Sequence, residues 1–337
     1  MFIVIEGPDG SGKSSLVNAI KAEIAAMLPD VGPDLISFHK GRPPEETRRC
    51  LLHEYAASLE KDDLFSHYYV ADRWHWGERT YAPFKRPHTN TDGYGLLGKS
   101  GWRWVELFLQ SRGVAQFMLY QKLDVIKARV SERGDDFVDI SELEDIYNAY
   151  VETAHVSVLA ETIMPGESSM SQLPAFARHI IDVATAVSVR AEPLQNFPQY
   201  IGPIKPKILL VGDERNVTEE FGDETHLPFF PVASSSGDFL LSSLPDTLWK
   251  HVGIINGNEI EPSMLSVLHR TLGQPPIAAL GRMAEKALLR TTVHADDYVT
   301  IPHPQSVRRF RHSEKEEYGN AILSISRGEG ANGWELQ

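Results

Sequence analysis

The stretch Gly7-Pro8-Asp9-Gly10-Ser11-Gly12-Lys13-Ser14-Ser15 is the part of the chain best equipped for chemistry. It carries Gly-x4-Gly-Lys-Ser. Met1 to Ile5 ahead of it is an apolar run, and Leu16, Ile20 and Ile24 behind it recur at helical spacing. A strand, a glycine-rich turn and a helix in that order make a phosphate-binding loop. The glycines let the backbone curl so that successive N–H groups converge on phosphate oxygens. The helix opening at Lys13 turns the positive end of its dipole toward the same anion. Lys13 adds a mobile charge for the β- and γ-phosphates, and Ser14 a hydroxyl ligand for Mg2+. The expected ligand is therefore the phosphates of a nucleotide with Mg2+, cradled by Gly7, Asp9, Gly10, Ser11, Gly12, Lys13, Ser14 and Ser15; the loop alone does not separate a kinase from a GTPase or a helicase.

Other reactive groups follow strands. Asp72-Arg73 comes directly after an apolar run at 67–71. In a parallel α/β sheet, ligands sit at the carboxyl ends of the strands, where this pair would land. Asp72 is suited to deprotonate a hydroxyl or hold the Mg2+ shell, and Arg73 to clamp an acceptor phosphate with two N–H groups. Arg129 and Arg133 precede Gly134-Asp135-Asp136 at a helix end, where a lid could fold over ATP and balance the charge of the transferring group. Lys40 and Arg42 follow a short strand at 35–38 and reach the substrate edge. Trp74, Trp76 and Tyr81 could stack a base or pack in the core.

These residues must be held by a regular framework. After the loop, the pattern reads helix 16–27, strand 35–38, helix 45–61, strand 67–71, helix 102–110, strand 116–120, helix 125–133, a long helix 140–163 and a helix 170–189. Alternation of strand and helix predicts a parallel sheet covered on both faces. At Arg190 the composition shifts, and 190–206 is proline-rich and reads as a linker. The rhythm then restarts with strands at 207–211, 252–256, 276–280 and 298–301 and helices between. The expected domains are 1–189, a linker at 190–206, a smaller α/β domain at 207–325 and a loose tail at 326–337.

Bulk properties exclude several classes. The chain has 337 residues, 42% hydrophobic and 23% charged, which is ordinary for a globular protein with two cores. A net charge of −13 excludes a general nucleic-acid coat but not a local basic groove. The single Cys50 excludes an internal disulfide and a cysteine-held metal cluster. No apolar run approaches the ~20 residues that span a bilayer, so no membrane partner is expected. The N-terminus reads as a core strand, not a signal peptide, and a cytosolic protein is expected.

FIVIEGPDGSGKSS resembles the opening of thymidylate kinases, including an Asp within the loop, here Asp9. Asp72-Arg73-Trp74 stands where that family has Asp-Arg-Tyr, and RVSERGDDFVDISELEDIYNAY resembles its lid. The resemblance implies a P-loop nucleotide kinase. Asp9 would touch the sugar or acceptor phosphate, Arg73 the acceptor phosphate, and Arg129 and Arg133 the ATP side. The run from Trp74 to Phe84 is more similar to phage-type kinases of the same superfamily, some proposed to phosphorylate a hydroxymethyl group on a uracil base within DNA; such a protein would work in host cytoplasm. In the second half, Gly212-Asp213-Glu214, Leu227-Pro228-Phe229-Phe230, Asn256 and His303-Pro304-Gln305-Ser306 resemble, in order, the motifs of the uracil-DNA glycosylase superfamily. By that resemblance Asp213 or Glu214 would position water, Phe229 would stack a flipped base, Asn256 would read its edge and His303 would stabilise the departing base. The loop holding Ser306 would complete the site, and the basic run 308–312 could meet backbone phosphate.

Three readings follow. The first is an ATP-dependent kinase of a deoxynucleotide or of a hydroxymethyl pyrimidine in DNA, fused to a nucleobase-recognising module. The others are a base-excising or base-modifying enzyme acting through the second domain, and a modified-DNA-binding protein switched by ATP. A nucleotide is the expected partner; DNA and a second copy of the chain stay open.

Overall fold

The computed structural model describes residues 1–28, 48–59, 68–89, 92–134, 138–163, 172–213 and 227–336. Within these, the chain forms two compact units. They are discontinuous in sequence. The first comprises Met1–Glu46, Leu59–Gly98 and Gly113–Glu192; the second comprises Thr47–Ser58, Lys99–Arg112 and Pro193–Gln337. Two segments expected in the first domain are thus part of the second unit.

The first unit is built on β1 (Phe2–Glu6), β2 (Tyr69–Asp72), β3 (Val114–Leu119) and β4 (Ala160–Ile163). All pairs are parallel and the order is β2-β1-β3-β4. The FIVIE strand is buried along its whole length, as expected where helices cover both faces. Helix α1 (Lys13–Met27) buries Leu16, Ile20 and Ile24. They share a core with Ile3, Ile5, Phe117 and the buried stripe Ala177, Ile180, Ile181, Ala184 of the later helix Leu173–Ala191. The strand expected at 35–38 lies outside the described residues.

Numbering the remaining helices in chain order, α2 is Arg48–Leu59, α3 Gly77–Thr80, α4 Ala82–Lys85, α5 Gly98–Ser111, α6 Leu123–Arg133, α7 Leu143–Val156 and α8 Leu173–Ala191. The stretch 140–163 is not one long helix. It is α7, an extended Ser157 and then β4. Pairing of Ala160–Ile163 with Gln116–Leu119 supplies ladder hydrogen bonds that outweigh the helix preference of Ala and Glu.

The second unit repeats the topology with β5 (Ile208–Gly212), β6 (Val252–Asn256), β7 (Ile277–Leu280) and β8 (Tyr298–Ile301), in the order β6-β5-β7-β8. Helices α9 (Ser236–Ser243), α10 (Pro262–Thr271), α11 (Arg282–Leu288), α12 (Pro304–Phe310) and α13 (Lys315–Ile325) accompany it. In both units the strand order reverses beside the first strand, so each has a crevice at its carboxyl edge there.

Two expectations are corrected in this unit. The proline-rich 190–206 is not a free linker: Leu194, Phe197, Tyr200 and Ile201 are buried, and Ile201 bridges Ile254. Its prolines interrupt helix and strand, but its apolar residues join the core of β5 and α10. The tail is also packed. Trp334 is 7% exposed, meets Tyr318 edge-on at 5.3 Å and carries the Arg311 guanidinium 3.9 Å above its ring. Leu336 N–H donates to Thr300 O at 2.8 Å. Trp334→Ala is expected to destabilise the chain by about 2–4 kcal/mol, read as a lowered urea midpoint.

Candidate functional site

The phosphate loop runs from the end of β1 to α1. Gly10 and Gly12 have φ of 77° and 97°, values that side chains resist. Close packing adds a second constraint: a Cβ on Gly10 would lie 3.0 Å from Val130 Cγ2 and 3.1 Å from Ile126 O of α6. The same helix brings Arg129, whose guanidinium donates to Gly10 O at 3.2 Å. Arg133 is exposed one turn further on. Lys13 Nζ donates to Pro8 O at 2.8 Å. Ser11 is buried, whereas Ser14 and Ser15 are exposed on the first turn of α1.

Strand β2 delivers Asp72 and Arg73 to the same edge. Ser14 Oγ donates to Asp72 Oδ2 at 3.0 Å. That hydroxyl and carboxylate are an oxygen donor pair of the kind that would hold Mg2+. Arg73 has a φ of 70°, left-handed for a non-glycine residue, a conformation that costs of order 1 kcal/mol. It is held there by its own N–H on Ile5 O at 2.9 Å, and by Glu6 Oε1, which accepts from Trp74 N at 2.8 Å and Trp76 N at 3.4 Å. So turned, the guanidinium pairs with Asp9 Oδ1 and lies 5.1 Å from the centre of the Tyr81 ring. Tyr81 donates its hydroxyl to Asp9 Oδ2 at 2.9 Å, and Tyr150 of α7 meets Tyr81 edge-on at 5.9 Å.

Thus Asp9, Lys13, Ser14, Asp72, Arg73, Tyr81 and Arg129 come together. Trp74 does not present a stacking face: it is 6% exposed and packs edge-on against Phe2 at 5.3 Å. Trp76 is in the core with Tyr150 and Ile126. Lys40 and Arg42 lie outside the described residues.

Acidic and basic groups are crowded in this space. Burial pushes the Glu6 carboxyl up to about 7 against the pull of the backbone N–H groups, Arg73 and Lys13. Burial and the Arg73 charge lower the Lys13 ammonium to about 7. Burial opposes ionisation of Asp9, but Arg73, Lys13 and the Tyr81 hydroxyl hold it below the ordinary carboxylate range. Burial raises the Tyr81 hydroxyl well above its usual value. A polyphosphate beside Lys13 would favour its charged form.

In the second unit, the carboxyl edge gathers Asp213, Phe229, Asn256 and His303. Phe229 has a φ of 49°, and Gly212 has room for its ring only because it lacks a Cβ, which would also sit 2.7 Å from Asn256 Oδ1. Phe229 and His303 stack at 6.1 Å with 29° between planes. His303 Nδ1 accepts from Gln305 N at 3.2 Å, leaving the ring proton on Nε2. Burial lowers its pKa, and the Asp213 charge partly opposes that. Asn256 is 2% exposed and its Nδ2 has no hydrogen-bond partner among the described residues. Asp213 accepts from Asn258 Nδ2 at 2.5 Å. Ser306 is exposed on α12, and Glu214 lies outside the described residues.

The sequence reading missed Glu6 and Tyr150. A signal existed for Glu6, a carboxylate ending an otherwise apolar strand. For Tyr150 the signal was its place at the end of the lid-like run RVSERGDDFVDISELEDIYNAY, and it reaches the site through the packing of α7.

No protein-family model matches the chain, and no curated protein matches it. Among solved structures, the chain is similar to the YorR protein of Bacillus subtilis in complex with phosphorylated GDP, at 18% identity and a TM-score of 0.43 over 55% of this chain and 98% of that one. It is similar to the deoxyadenosine kinase of M. mycoides with bound dATP, at 15% identity and a TM-score of 0.31 over 54% and 99%. It is also similar to a gluconokinase of Sinorhizobium meliloti 1021, at 19% identity and a TM-score of 0.29 over 57% and 94%. No helix among the described residues is long and apolar enough to cross a membrane.

Glu6 gives the site a pH signature. Its pKa rises on folding from 4.5 to about 7, so its contribution to stability is complete below 4.5 and is lost as pH climbs through about 7. Glu6→Gln should remove that loss. Relative to wild type, the variant should gain about 2–3 kcal/mol between pH 5 and pH 8, measured by urea unfolding at both values.

Proposed function

We propose that this chain is a Mg2+- and ATP-dependent phosphotransferase whose acceptor is a deoxynucleotide or a hydroxymethyl pyrimidine in DNA. One observation carries the reading. The Ser14–Asp72 hydrogen bond stands beside Lys13, on the same sheet edge as the Asp9–Arg73–Tyr81 cluster. This reading is supported by a hydroxyl–carboxylate pair suited to Mg2+ lying near a group of polar side chains suited to an acceptor.

In this account the backbone of Gly10 to Lys13 and the Lys13 ammonium hold the ATP phosphates. Ser14 and Asp72 hold Mg2+, which supplies charge neutralisation across the phosphates when bound. Arg129 crosses from α6 to the loop and balances charge on the transferring group. Arg73 and Asp9 orient the acceptor, which is the largest part of what such an enzyme must do. In a purified sample with labelled ATP and Mg2+, label should pass to a nucleoside, nucleotide or modified DNA. Lys13→Ala should lower that transfer by about 1000-fold while leaving the circular dichroism spectrum unchanged. Undiminished transfer in the variant would contradict the assignment.

The second unit supports a second reading, a nucleobase-recognising module. The observation behind it is the buried Asn256 amide, whose Nδ2 has no hydrogen-bond partner among the described residues, beside the Phe229 ring that stacks on the His303 imidazole. A planar ring carrying carbonyl and N–H groups could stack on Phe229 and satisfy Asn256. Asn256→Ala should weaken binding of an oligonucleotide containing uracil or hydroxymethyluracil by about 10-fold or more, followed by fluorescence anisotropy. Release of free base that disappears in His303→Ala would instead make this edge hydrolytic.

A further inference from the structure

A stacking platform works best when its ring is already in place as the base arrives, because a ring ordered on binding gives up part of the contact energy to that ordering. Resting on the nucleobase-recognising reading of the second unit, we infer that Trp104 of α5 is a positioning residue for the Phe229 platform. It lies far in sequence from the motifs of the second half. The chain leaves the first unit after Gly98, builds α5 as part of the second and re-enters the first at Gly113.

Phe229 is not placed by its own backbone preference. Its φ of 49° is left-handed, a region a phenylalanine enters only when its surroundings impose it. Its ring fills the space that a Cβ on Gly212 would occupy, and its carbonyl the space of a Cβ on Gly237. Those two glycines open a slot, but they do not hold the segment in it. The hold comes from the residues on either side of Phe229.

Trp104 reaches both. Its indole Nε1–H donates to Pro228 O at 3.1 Å. That carbonyl belongs to the peptide between Pro228 and Phe229, whose plane sets the φ of Phe229. The Trp104 ring also meets the Phe230 ring edge-on, at 5.1 Å and 88°, and His53 of α2 lies 4.8 Å from the same Phe230 ring. Phe230 O in turn accepts from Val232 N at 3.0 Å and Ser235 Oγ at 3.2 Å. Trp104 is itself fixed. It is fully buried and packs on Phe108 at 5.2 Å. Arg103 fastens α5 to the end of α9 by donating to Leu241 O and Leu244 O, both at 2.7 Å, and Ser100 donates to Asp238 of the same helix. One helix thus holds both the platform loop and the helix that follows it. A phenylalanine at 104 would keep a ring there but lose the donor to Pro228 O.

The test titrates the full chain into two labelled oligonucleotides by fluorescence anisotropy. One carries uracil or hydroxymethyluracil at its centre, and the other an abasic residue there, so the difference isolates what the base contributes. Wild type should prefer the base-bearing strand by about 10-fold or more, and Phe229→Ala should remove that preference. Trp104→Phe should weaken binding of the base-bearing strand by about 5-fold or more and leave the abasic strand unchanged. Phe230→Leu should do the same, and it carries the test if Trp104→Phe does not fold, as judged by urea unfolding. Trp102→Phe alters the same helix where it meets Trp249 at 5.8 Å, and should bind both strands as wild type does. In the Phe229→Ala background, Trp104→Phe should change affinity for the base-bearing strand by less than about 2-fold, because it acts through that ring. A Trp104→Phe variant that keeps the wild-type preference, or that weakens both strands alike in both backgrounds, would overturn the inference and leave the nucleobase reading standing. A wild-type chain that does not distinguish the two strands would overturn both.

Discussion

An ion pair between Asp9 and Arg73 joins the phosphate loop to the turn that follows β2. Its formation requires three separate conditions. The loop must curl through left-handed glycines to bring Asp9 to its rim. Arg73 must adopt a left-handed backbone that its side chain resists. Glu6, at the end of the neighbouring strand, must hold the Trp74 and Trp76 amides to keep that turn in place. The strain at Arg73 is thus offset by hydrogen bonds that the Trp74 and Trp76 N–H groups donate to a buried carboxylate, which itself sits in an unfavourable place. A network of this kind is costly to leave half satisfied, which keeps its members in one arrangement.

The same constraint explains why the site lies where it does. In each unit the first strand is central, and the order reverses beside it. In the first unit that crevice receives the phosphate loop, with Gly7 close against Leu119 O at the end of β3. In the second unit it receives Gly212-Asp213, with Phe229, Asn256 and His303 gathered around it. Two sheets of one topology thus present two different side-chain sets, one of ionic groups and one of an amide, an imidazole and an aromatic ring. Topology supplies the crevice, and the chemistry belongs to the residues placed on it.

The phosphate loop was legible in the sequence because its strand, glycines and helix are contiguous, so local pattern and final geometry coincide. Asp72 and Arg73 were legible because a carboxyl strand end is readable from an apolar run and its first polar residues. Tyr81 was legible only as a candidate, since its hydrogen bond to Asp9 depends on two short helices, α3 and α4, with no clear period. Trp74 and Trp76 look the same in sequence as stacking aromatics; burial against Phe2 and Tyr150 decides their role. The strand at Ala160–Ile163 carries helix-favouring residues, and its pairing to β3 is non-local. The proline-rich stretch and the C-terminal tail have the composition of exposed chain. Each nonetheless carries a few large apolar residues, among them Tyr200 and Trp334, that find the core.

The coupling of Asp9 to Arg73 during turnover is the most direct test of this account. A double-mutant cycle with Asp9→Asn, Arg73→Gln and the double variant, followed by kcat/KM on the best acceptor, measures it. The expected coupling is about 2 kcal/mol or more, with the double variant scarcely worse than the poorer single one. Effects that add to within about 0.5 kcal/mol would show that the two residues act independently, and would contradict a site organised around their ion pair.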